Sequence, residues 1–365
     1  MRTLTLQDLH DIAAGSAVLG TGGGGDPYIG ELAAVRSLEK YGPPQLIGVE
    51  DVADTDHVAI PFMIGSPVPL IEKFPLGSEL TAAFDGLSRF LTDPVTAVMP
   101  VEIGGVNSMV PLSLSSRLRK PVVDADCMGR AFPEGQLITL TLDGIGMSPV
   151  SLADERGNNV ILQTCDNFWL ERFGRSLAID FGAIAAGVGA PITGRQVRQS
   201  TVHGSLSYAE RIGRAIREAR AVKQDGVTAI LTETRGFEIF RGKITDVQRR
   251  IERGWTLGEA VLDGLEAYAG SRLVVQFQNE SLVAIRDGSI VGSVPDLITI
   301  LDAELGDAIT TEHLRYGYRV VVVGMQCDPK WRTPAGIALA GPRHFGYDVD
   351  YVPIELRLGS AAAVE

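Results

Sequence analysis

Apolar and helical patterns alternate along the first 165 residues. Apolar runs suited to buried strands lie at 45–49, 57–64, 96–103, 121–126, 150–153 and 158–163. Segments with apolar residues at helical spacing lie at 6–19, 27–41, 80–91 and 110–118. Short apolar strands that alternate with helices are typical of an α/β layer. We therefore predict an α/β N-terminal domain, residues 1–165, with a mixed, largely parallel sheet.

The second half of the chain has a different pattern. Helices are predicted at 168–176 and at 205–222, the second of which has the clearest apolar face. From about residue 228 the pattern becomes β-rich, with segments at 237–247, 273–278, 281–285, 290–294, 297–301 and 319–323. Asp287-Gly288 is a hairpin signal between two of these segments. We predict a C-terminal α+β domain, residues 166–365, rich in short strands and barrel- or sandwich-like.

A glycine-rich loop separates the first two predicted helices. We expect it to bind substrate or an anion through Thr21, Gly22, Gly23, Gly24, Gly25 and Asp26. Four consecutive glycines suit positive φ angles or close backbone approach, and the second helix points its N-terminus at them. No Gly-Lys-Ser/Thr follows and no strand precedes the run, so we expect no nucleotide cofactor. The alternative is a tight turn between helices.

Polar residues follow the predicted strands, where the ligand crevice of an open α/β sheet lies. We predict catalytic roles for four carboxylates, Asp124, Asp126, Glu102 and Glu134. We predict further binding roles for Gly104, Gly105, Asn107 and Arg130. Asp124 and Asp126 alternate at a strand end, so we expect them to share one face and to bind a metal or to raise one pKa. The alternative is ion pairing with Arg130 or Arg119.

Metal ligation is less constrained by the sequence. The five histidines form no His-x-His or His-x-x-x-His pair, and no zinc motif is present. If one divalent metal ion binds, the predicted ligands are Asp124 and Asp126 with Cys127, His203 or His344.

Composition narrows the choice of partners and compartment. The chain of 365 residues has a formal net charge of −12 and a pI near 5.0, which argues against nucleic acid or an anionic membrane as partner. No apolar run reaches the length of a membrane-spanning helix, and the first residues lead into an amphipathic helix rather than a signal peptide. The three cysteines are widely spaced. We therefore expect a cytoplasmic protein with reduced thiols.

Several motifs together resemble the DUF917 family, also called the S-methyl thiohydantoin desulfurase family and associated with hydantoinase-type proteins. They are LGTGGGGDPY at 19–28, DADCMGRAFPE at 124–134, VPDLI at 294–298, QCDPKW at 326–331 and GPRHFGYD at 341–348. The resemblance is co-linear and covers nearly the whole chain. The chain departs from the family pattern at Cys127, where glycine is common, which leaves open a changed substrate or an accessory thiol role.

The resemblance implies hydrolysis of a thiohydantoin- or hydantoin-like ring, a small-molecule substrate. Such a reaction needs an activated water, a polarised C=N bond and a protonated leaving thiolate, for which carboxylates and a glycine loop are suited. An alternative is a non-catalytic partner subunit or small-anion-binding protein of a hydantoinase-like system. A weaker alternative is a lyase or cyclase. A homo-oligomer and a hydantoinase-like partner protein are further expectations.

Overall fold

The computed structural model describes residues 1–65, 77–252 and 255–359, apart from the side chain of Ala190. In these residues the first part of the chain forms a mixed sheet of eight strands. They are β1 (Arg2–Thr3), β2 (Gln45–Ile47), β3 (His57–Gly65), β4 (Ala97–Val98), β5 (Val122–Val123), β7 (Val150–Ala153), β8 (Asn159–Leu162) and β9 (Ile184–Thr193). The strands β6 (Ala125–Asp126) and β10 (Val202–His203) pair separately.

The order across the large sheet is β1-β2-β5-β4-β3-β9-β7-β8. Strands β2, β5, β4 and β3 run parallel at its centre. The pairs β3–β9, β9–β7 and β7–β8 are antiparallel and form a wing at one side. The predicted mixed, largely parallel α/β sheet is confirmed. Strand β9 joins this sheet although it follows residue 165, so the first core extends into the second half of the chain.

Helices connect the strands and pack on both sheets. They are α1 (Leu6–Leu19), α2 (Pro27–Tyr41), α3 (Ser78–Phe90), α4 (Met109–Leu118), α5 (Thr139–Leu142), α6 (Asn167–Asp180), α7 (Gly194–Ser200), α8 (Ser205–Ala221), α9 (Gly226–Thr234), α10 (Pro334–Ala340) and α11 (Ile354–Gly359). Short 3₁₀ turns lie at Val49–Asp51, Glu266–Tyr268, Thr311–His313, Pro329–Arg332 and Pro342–Phe345. None of the described helices combines the length and apolarity needed to cross a membrane.

The first two helices begin where their sequence signals lie. Thr5 caps α1 through a reciprocal pair of hydrogen bonds with Asp8. Asp26 caps α2, and Pro27 occupies the first helical position. Helix α1 packs so closely on α8 that a Cβ atom on Gly15 would lie 1.8 Å from the Ala209 carbonyl oxygen. The glycine-rich loop is therefore fixed at both ends by well-anchored helices.

The second sheet has seven antiparallel strands in the described residues and curls into a half-barrel. They are β11 (Phe237–Glu252), β12 (Trp255–Gly264), β13 (Arg272–Gln278), β14 (Glu280–Arg286), β15 (Ser289–Ser293), β16 (Leu297–Asp302) and β17 (Arg319–Met325). Their order is β15-β14-β13-β12-β11-β17-β16. The predicted barrel- or sandwich-like C-terminal region is thus confirmed as a curled sheet with helices around it.

Three local predictions differ from the structure. The β-rich part begins at Phe237, because Asp225 accepts hydrogen bonds from two backbone N–H groups and starts helix α9. Of the run at 96–103, only Ala97–Val98 pairs as a strand. The run at 121–126 is divided between β5 and β6, which belong to different sheets.

Candidate functional site

The glycine-rich loop has the unusual backbone that its composition predicts. Thr21, Gly22, Gly24 and Gly25 have φ angles of 53°, 90°, 74° and 83°. Such angles are accessible to glycine and strained for most other residues. Backbone N–H groups of Ser281, Thr311 and Val106 donate to the carbonyl oxygens of Thr21, Gly22 and Gly24, each at 2.8 Å. The loop is therefore held between the two sheets of the molecule.

Gly104 and Gly105 support the loop by close backbone contact. A Cβ atom on Gly105 would lie 2.0 Å from the Gly25 carbonyl oxygen, and one on Gly24 would lie 2.7 Å from the Gly104 Cα. A side chain on Gly105 or on Gly24 would therefore collide with the backbone of the facing segment. These glycines shape the loop from behind, and neither Gly104 nor Gly105 is among the described residues that line the cavity.

Arg130 anchors the loop to the second half of the chain. It is fully buried, and Nη2 donates to the Thr21 hydroxyl at 3.0 Å. Nη1 donates to the carbonyl oxygens of Pro295 and Asp296, both at 2.8 Å. Burial lowers the pKa of Arg130 to about 10, and nearby acidic groups oppose this effect, Glu280 most strongly. Arg130 is therefore a buried cation that positions the loop.

A cavity with a water-accessible volume of about 140 Å³ lies in front of the loop. Two regions of the molecule supply its polar wall, Glu102 and Asn107 after β4 and Glu280 at the start of β14. The loop end of the cavity is completed by the backbone of three glycines and by three further polar residues. They are Gly23, Gly24, Gly25, Asn279, Thr311 and Glu312. The remainder of the wall is largely apolar.

Glu102 is held rigidly at the cavity wall. It is 5% exposed, and Asn107 Nδ2 donates to its Oε1 at 2.6 Å. The Asn107 amide is itself fixed by the Met63 backbone, whose N–H donates to Oδ1 at 2.8 Å. Burial raises the pKa of Glu102 to about 7, although the hydrogen bond from Asn107 opposes this effect. The carboxyl group therefore changes charge near neutral pH and is suited to act as a base.

Glu280 faces the glycine loop from the second sheet. The Gly24 N–H donates to its Oε1 at 3.1 Å. Its Oε2 is buried and has no hydrogen-bond partner in the described part of the chain. Burial raises the pKa of Glu280 well above its ordinary value, and repulsion from Glu102 adds to the shift. The shift favours the protonated form of Glu280, although the charge of Arg130 opposes it.

Gly23 makes room for that carboxyl group. A Cβ atom on Gly23 would lie 1.9 Å from Glu280 Oε1. Any side chain at this position would therefore collide with the Glu280 carboxyl group. It lets Glu280 lie directly against the backbone of the loop.

Glu312 adds a third acid at the same end of the cavity. It follows Thr311, whose N–H donates to the loop at Gly22. Its Oε1 is buried and has no hydrogen-bond partner among the described residues. Burial raises its pKa, and repulsion from Asp26 makes a smaller contribution in the same direction. The loop end of the cavity is therefore lined by three acids with raised pKa values.

Asp124 and Asp126, the predicted carboxylate pair, do not line the cavity. Asp124 Oδ1 accepts a hydrogen bond from the Ser207 N–H at 3.0 Å in the first turn of α8. Asp126 Oδ2 accepts from the N–H groups of Met128 and Gly129 at 2.9 and 2.7 Å. Regular strand alternation does not run from Asp124 to Asp126, because β5 ends at Val123 and β6 pairs with β10. Burial nevertheless raises the pKa of Asp126 to about 7.

The other predicted metal ligands are also directed elsewhere. His203 Nε2 contacts the Val197 carbonyl oxygen at 3.4 Å, and Cys127 is buried in the apolar core. His344 Nε2 lies 3.0 Å from Glu134 Oε2. No three His, Cys, Asp or Glu side chains in the described ranges are grouped so that they could hold a metal ion. The predicted ligand set is therefore not assembled in this fold.

Glu134 and Asp26 lie beside the cavity and are not part of its described lining. Burial alone would raise the pKa of Glu134, but the hydrogen bond and charge of His344 lower it overall. Asp26 accepts from the Tyr28 N–H at 2.9 Å as the cap of α2. Of the sequence-predicted residues, the cavity brings together Gly23, Gly24, Gly25, Glu102 and Asn107. Glu280 and Glu312 carry no local signal in the sequence and are not among the predicted residues.

Comparisons with known proteins give a consistent result. The model of the S-Me-THD-like N-terminal domain matches residues 7–164, and that of the S-Me-THD-like C-terminal domain matches residues 165–354. A crystal structure of a protein from Chromobacterium violaceum is similar in fold, with a TM-score of 0.80 at 22% identity. The similarity covers 97% of this chain and 100% of that one. No curated protein matches the sequence.

Proposed function

The chain belongs to the S-Me-THD-like family, and on that basis we propose that it is a thiohydantoin desulfurase-like hydrolase. The proposed substrate is an S-methyl thiohydantoin or a related cyclic imidate. The observation that carries the proposal is that Glu102 and Glu280 line one cavity beside the glycine loop, and that burial raises the pKa of both. Two carboxyl groups in different protonation states are what combined base and acid catalysis requires.

The reaction balances without a redox partner. Water adds its oxygen to the ring carbon that carries sulfur, and the C–S bond then breaks. The C=N–R unit of the thioimidate becomes the C(=O)–NH–R amide of a hydantoin, and the sulfur leaves as methanethiol. Both protons of the water leave its oxygen, and in the products one lies on the ring nitrogen and the other on the sulfur of methanethiol.

We assign the base to Glu102. In its ionised form it accepts a proton from the attacking water, and its raised pKa makes it a stronger base than an ordinary carboxylate. Asn107 holds one oxygen in place through a 2.6 Å hydrogen bond. Positioning by a fixed amide reduces the motion needed to reach the reacting geometry.

We assign the acid to Glu280. Its raised pKa favours the protonated form, and its buried Oε2, which has no hydrogen-bond partner among the described residues, would donate the proton. Protonation of the ring nitrogen polarises the C=N bond before water adds. The Gly24 N–H, which contacts Oε1, stabilises the carboxylate that remains after proton transfer.

A small-anion-binding role fits this cavity less well. Glu102, Glu280 and Glu312 surround the glycine loop, and the Gly24 N–H already donates to a carboxyl group of the chain itself. A bound anion would face three acids and would oppose their ionisation. In the catalytic proposal two of these acids, Glu102 and Glu280, transfer protons to and from the substrate.

The test is methanethiol release by the purified protein with S-methyl thiohydantoin. A thiol-reactive dye would measure methanethiol, and chromatography would measure the hydantoin. We expect both products in equal amounts, and at least a 10²-fold lower rate for Glu280→Gln. Glu259→Gln is the control, because Glu259 lies in the same sheet and contacts Gln276 outside the cavity. Absence of methanethiol from the wild-type protein alone would contradict the proposal.

A further inference from the structure

The cavity has a second, apolar part that the proposed chemistry does not use. Phe62 and Ile64 lie on β3, and Val150 and Leu152 lie on β7 with the same spacing of two residues. Val150 is paired directly with Leu162 of β8. These side chains therefore line one face of the antiparallel wing. We call this part of the cavity the apolar chamber, formed by Phe62, Ile64, Val150, Leu152, Leu162 and Leu170.

Helix α6 closes the chamber opposite the sheet. Leu170 and Gly174 are on its cavity side. A Cβ atom on Gly174 would lie 3.3 Å from Ile64 Cδ1, so the helix packs directly on β3 at this point. The chamber is connected to the acids by Asn107, which bonds to both Met63 of β3 and Glu102.

The space exceeds what a bare ring requires. A water-accessible volume of about 140 Å³ corresponds to roughly ten water positions, at about 10–15 Å³ for each. An unsubstituted S-methyl thiohydantoin has only eight non-hydrogen atoms, held at covalent spacing. A ring placed against Glu102 and Glu280 therefore leaves the chamber to be filled by another group.

The charge distribution limits that group. The loop end of the cavity contains Glu102, Glu280 and Glu312, and Arg175, the cation in the described lining, is paired with Glu171. A carboxylate on the substrate would meet repulsion from ionised Glu102 at one end and desolvation in the chamber at the other. An ammonium group would be desolvated among the apolar side chains of the chamber, and Glu171, the carboxylate that α6 contributes to the described lining, is already paired with Arg175.

We propose that the substrate is a neutral ring that carries an uncharged apolar substituent, and that this substituent occupies the apolar chamber. The inference rests on the proposed function for the identity of the ring. It adds a class of substituent, alkyl or aryl, that the family description does not specify. Apolar burial in a preformed pocket then supplies binding energy away from the reacting atoms.

The test uses S-methyl thiohydantoins that carry hydrogen, isobutyl, benzyl, carboxymethyl or aminobutyl on the saturated ring carbon next to the carbonyl group. We expect kcat/KM for the isobutyl compound to exceed that for the unsubstituted one by at least about tenfold, the low end for a single buried methylene. We expect the two charged compounds to be worse than the unsubstituted ring. Equal kcat/KM values across the series, or a preference for a charged compound, would overturn the inference and leave the proposed function standing.

Binding of the corresponding hydantoins, measured by calorimetry, separates the two proposals. If no thioether is turned over, the proposed function fails, and the order of hydantoin affinities still decides the inference. Tighter binding of isobutyl and benzyl hydantoin supports it. Absence of binding, or preference for the charged hydantoins, overturns it.

Variants on α6 locate the substituent. Leu170→Ala enlarges the chamber, so it should raise the benzyl-to-isobutyl ratio of affinities by about tenfold. Leu177→Ala is the matched control, because Leu177 lies on the same helix, packs on the core and is not among the lining residues. An unchanged ratio in Leu170→Ala, or the same change in both variants, would contradict the placement.

Discussion

Glu102→Gln tests the proposed base most sharply, because it removes the charge while preserving size. The Asn107 Nδ2 group can still donate to the amide oxygen, as it does to Glu102 Oε1 at 2.6 Å. An amide cannot accept a proton from water at neutral pH. We therefore expect kcat to fall by about 10²- to 10⁴-fold, the usual range for loss of general acid–base catalysis. The rise of kcat/KM through pH 7 in the wild-type protein should disappear in the variant.

The same substitution has a stability signature with a definite sign. Burial raises the pKa of Glu102 from 4.5 to about 7, so the folded protein retains a proton that the unfolded chain releases. Its contribution to stability is fully present below pH 4.5 and is lost as pH rises through 7. Between pH 5 and pH 8 the loss is roughly 2–3 kcal/mol. Relative to wild type, Glu102→Gln should therefore gain roughly that amount of unfolding free energy over this interval.

Asp126→Asn is the matched control for this experiment. Asp126 is fully buried, and its pKa is also raised to about 7, but it does not line the cavity. Urea unfolding at pH 5 and pH 8 should show a similar relative gain in both variants. Turnover should fall only in Glu102→Gln. Wild-type turnover in Glu102→Gln, or a comparable fall in Asp126→Asn, would refute the assignment of the base.

Three further variants test the framework of the site. Gly23→Ala places a Cβ atom 1.9 Å from the carboxyl group of Glu280. We therefore expect a loss of about 10²-fold in kcat with an unchanged far-UV CD spectrum. Normal turnover would contradict the steric argument. Arg130→Lys cannot reproduce the bonds to several oxygens, and its unfolding free energy in urea should fall by about 3 kcal/mol or more; a loss below about 1 kcal/mol would contradict the anchoring role. Asp124→Asn weakens the cap of α8 and should cost about 1 kcal/mol in thermal unfolding without lowering kcat; a 10²-fold fall in rate would return Asp124 to the site.

The parts of the site that could be predicted from sequence are local. Four glycines between two capped helices indicated a strained loop, and Glu102 and Asn107 follow a predicted strand at the sheet edge. Each of these signals depends on neighbouring residues only. Polar residues after buried strands lie at the crevice because strand ends meet at one edge of the sheet.

The rest depends on contacts between distant segments. Glu280 meets Gly24 across 256 residues of sequence, and nothing next to Glu280 marks its burial. The position of Gly23 could be explained only after this contact was known. The expectation that Asp124 and Asp126 share one strand face does not hold, because strand alternation assumes one continuous strand. Strand β5 ends at Val123. The Asp124 side chain then bonds to the first turn of α8, and Ala125–Asp126 pair with β10.

Oxygen-isotope labelling tests the central claim, that water replaces sulfur at the ring carbon. The protein would convert S-methyl thiohydantoin in H₂¹⁸O, and mass spectrometry would follow both products. We predict one ¹⁸O atom in the hydantoin carbonyl, with unlabelled methanethiol released in equal amount. Label in methanol, together with a ring that keeps its sulfur, would show attack at the methyl group and would contradict the account.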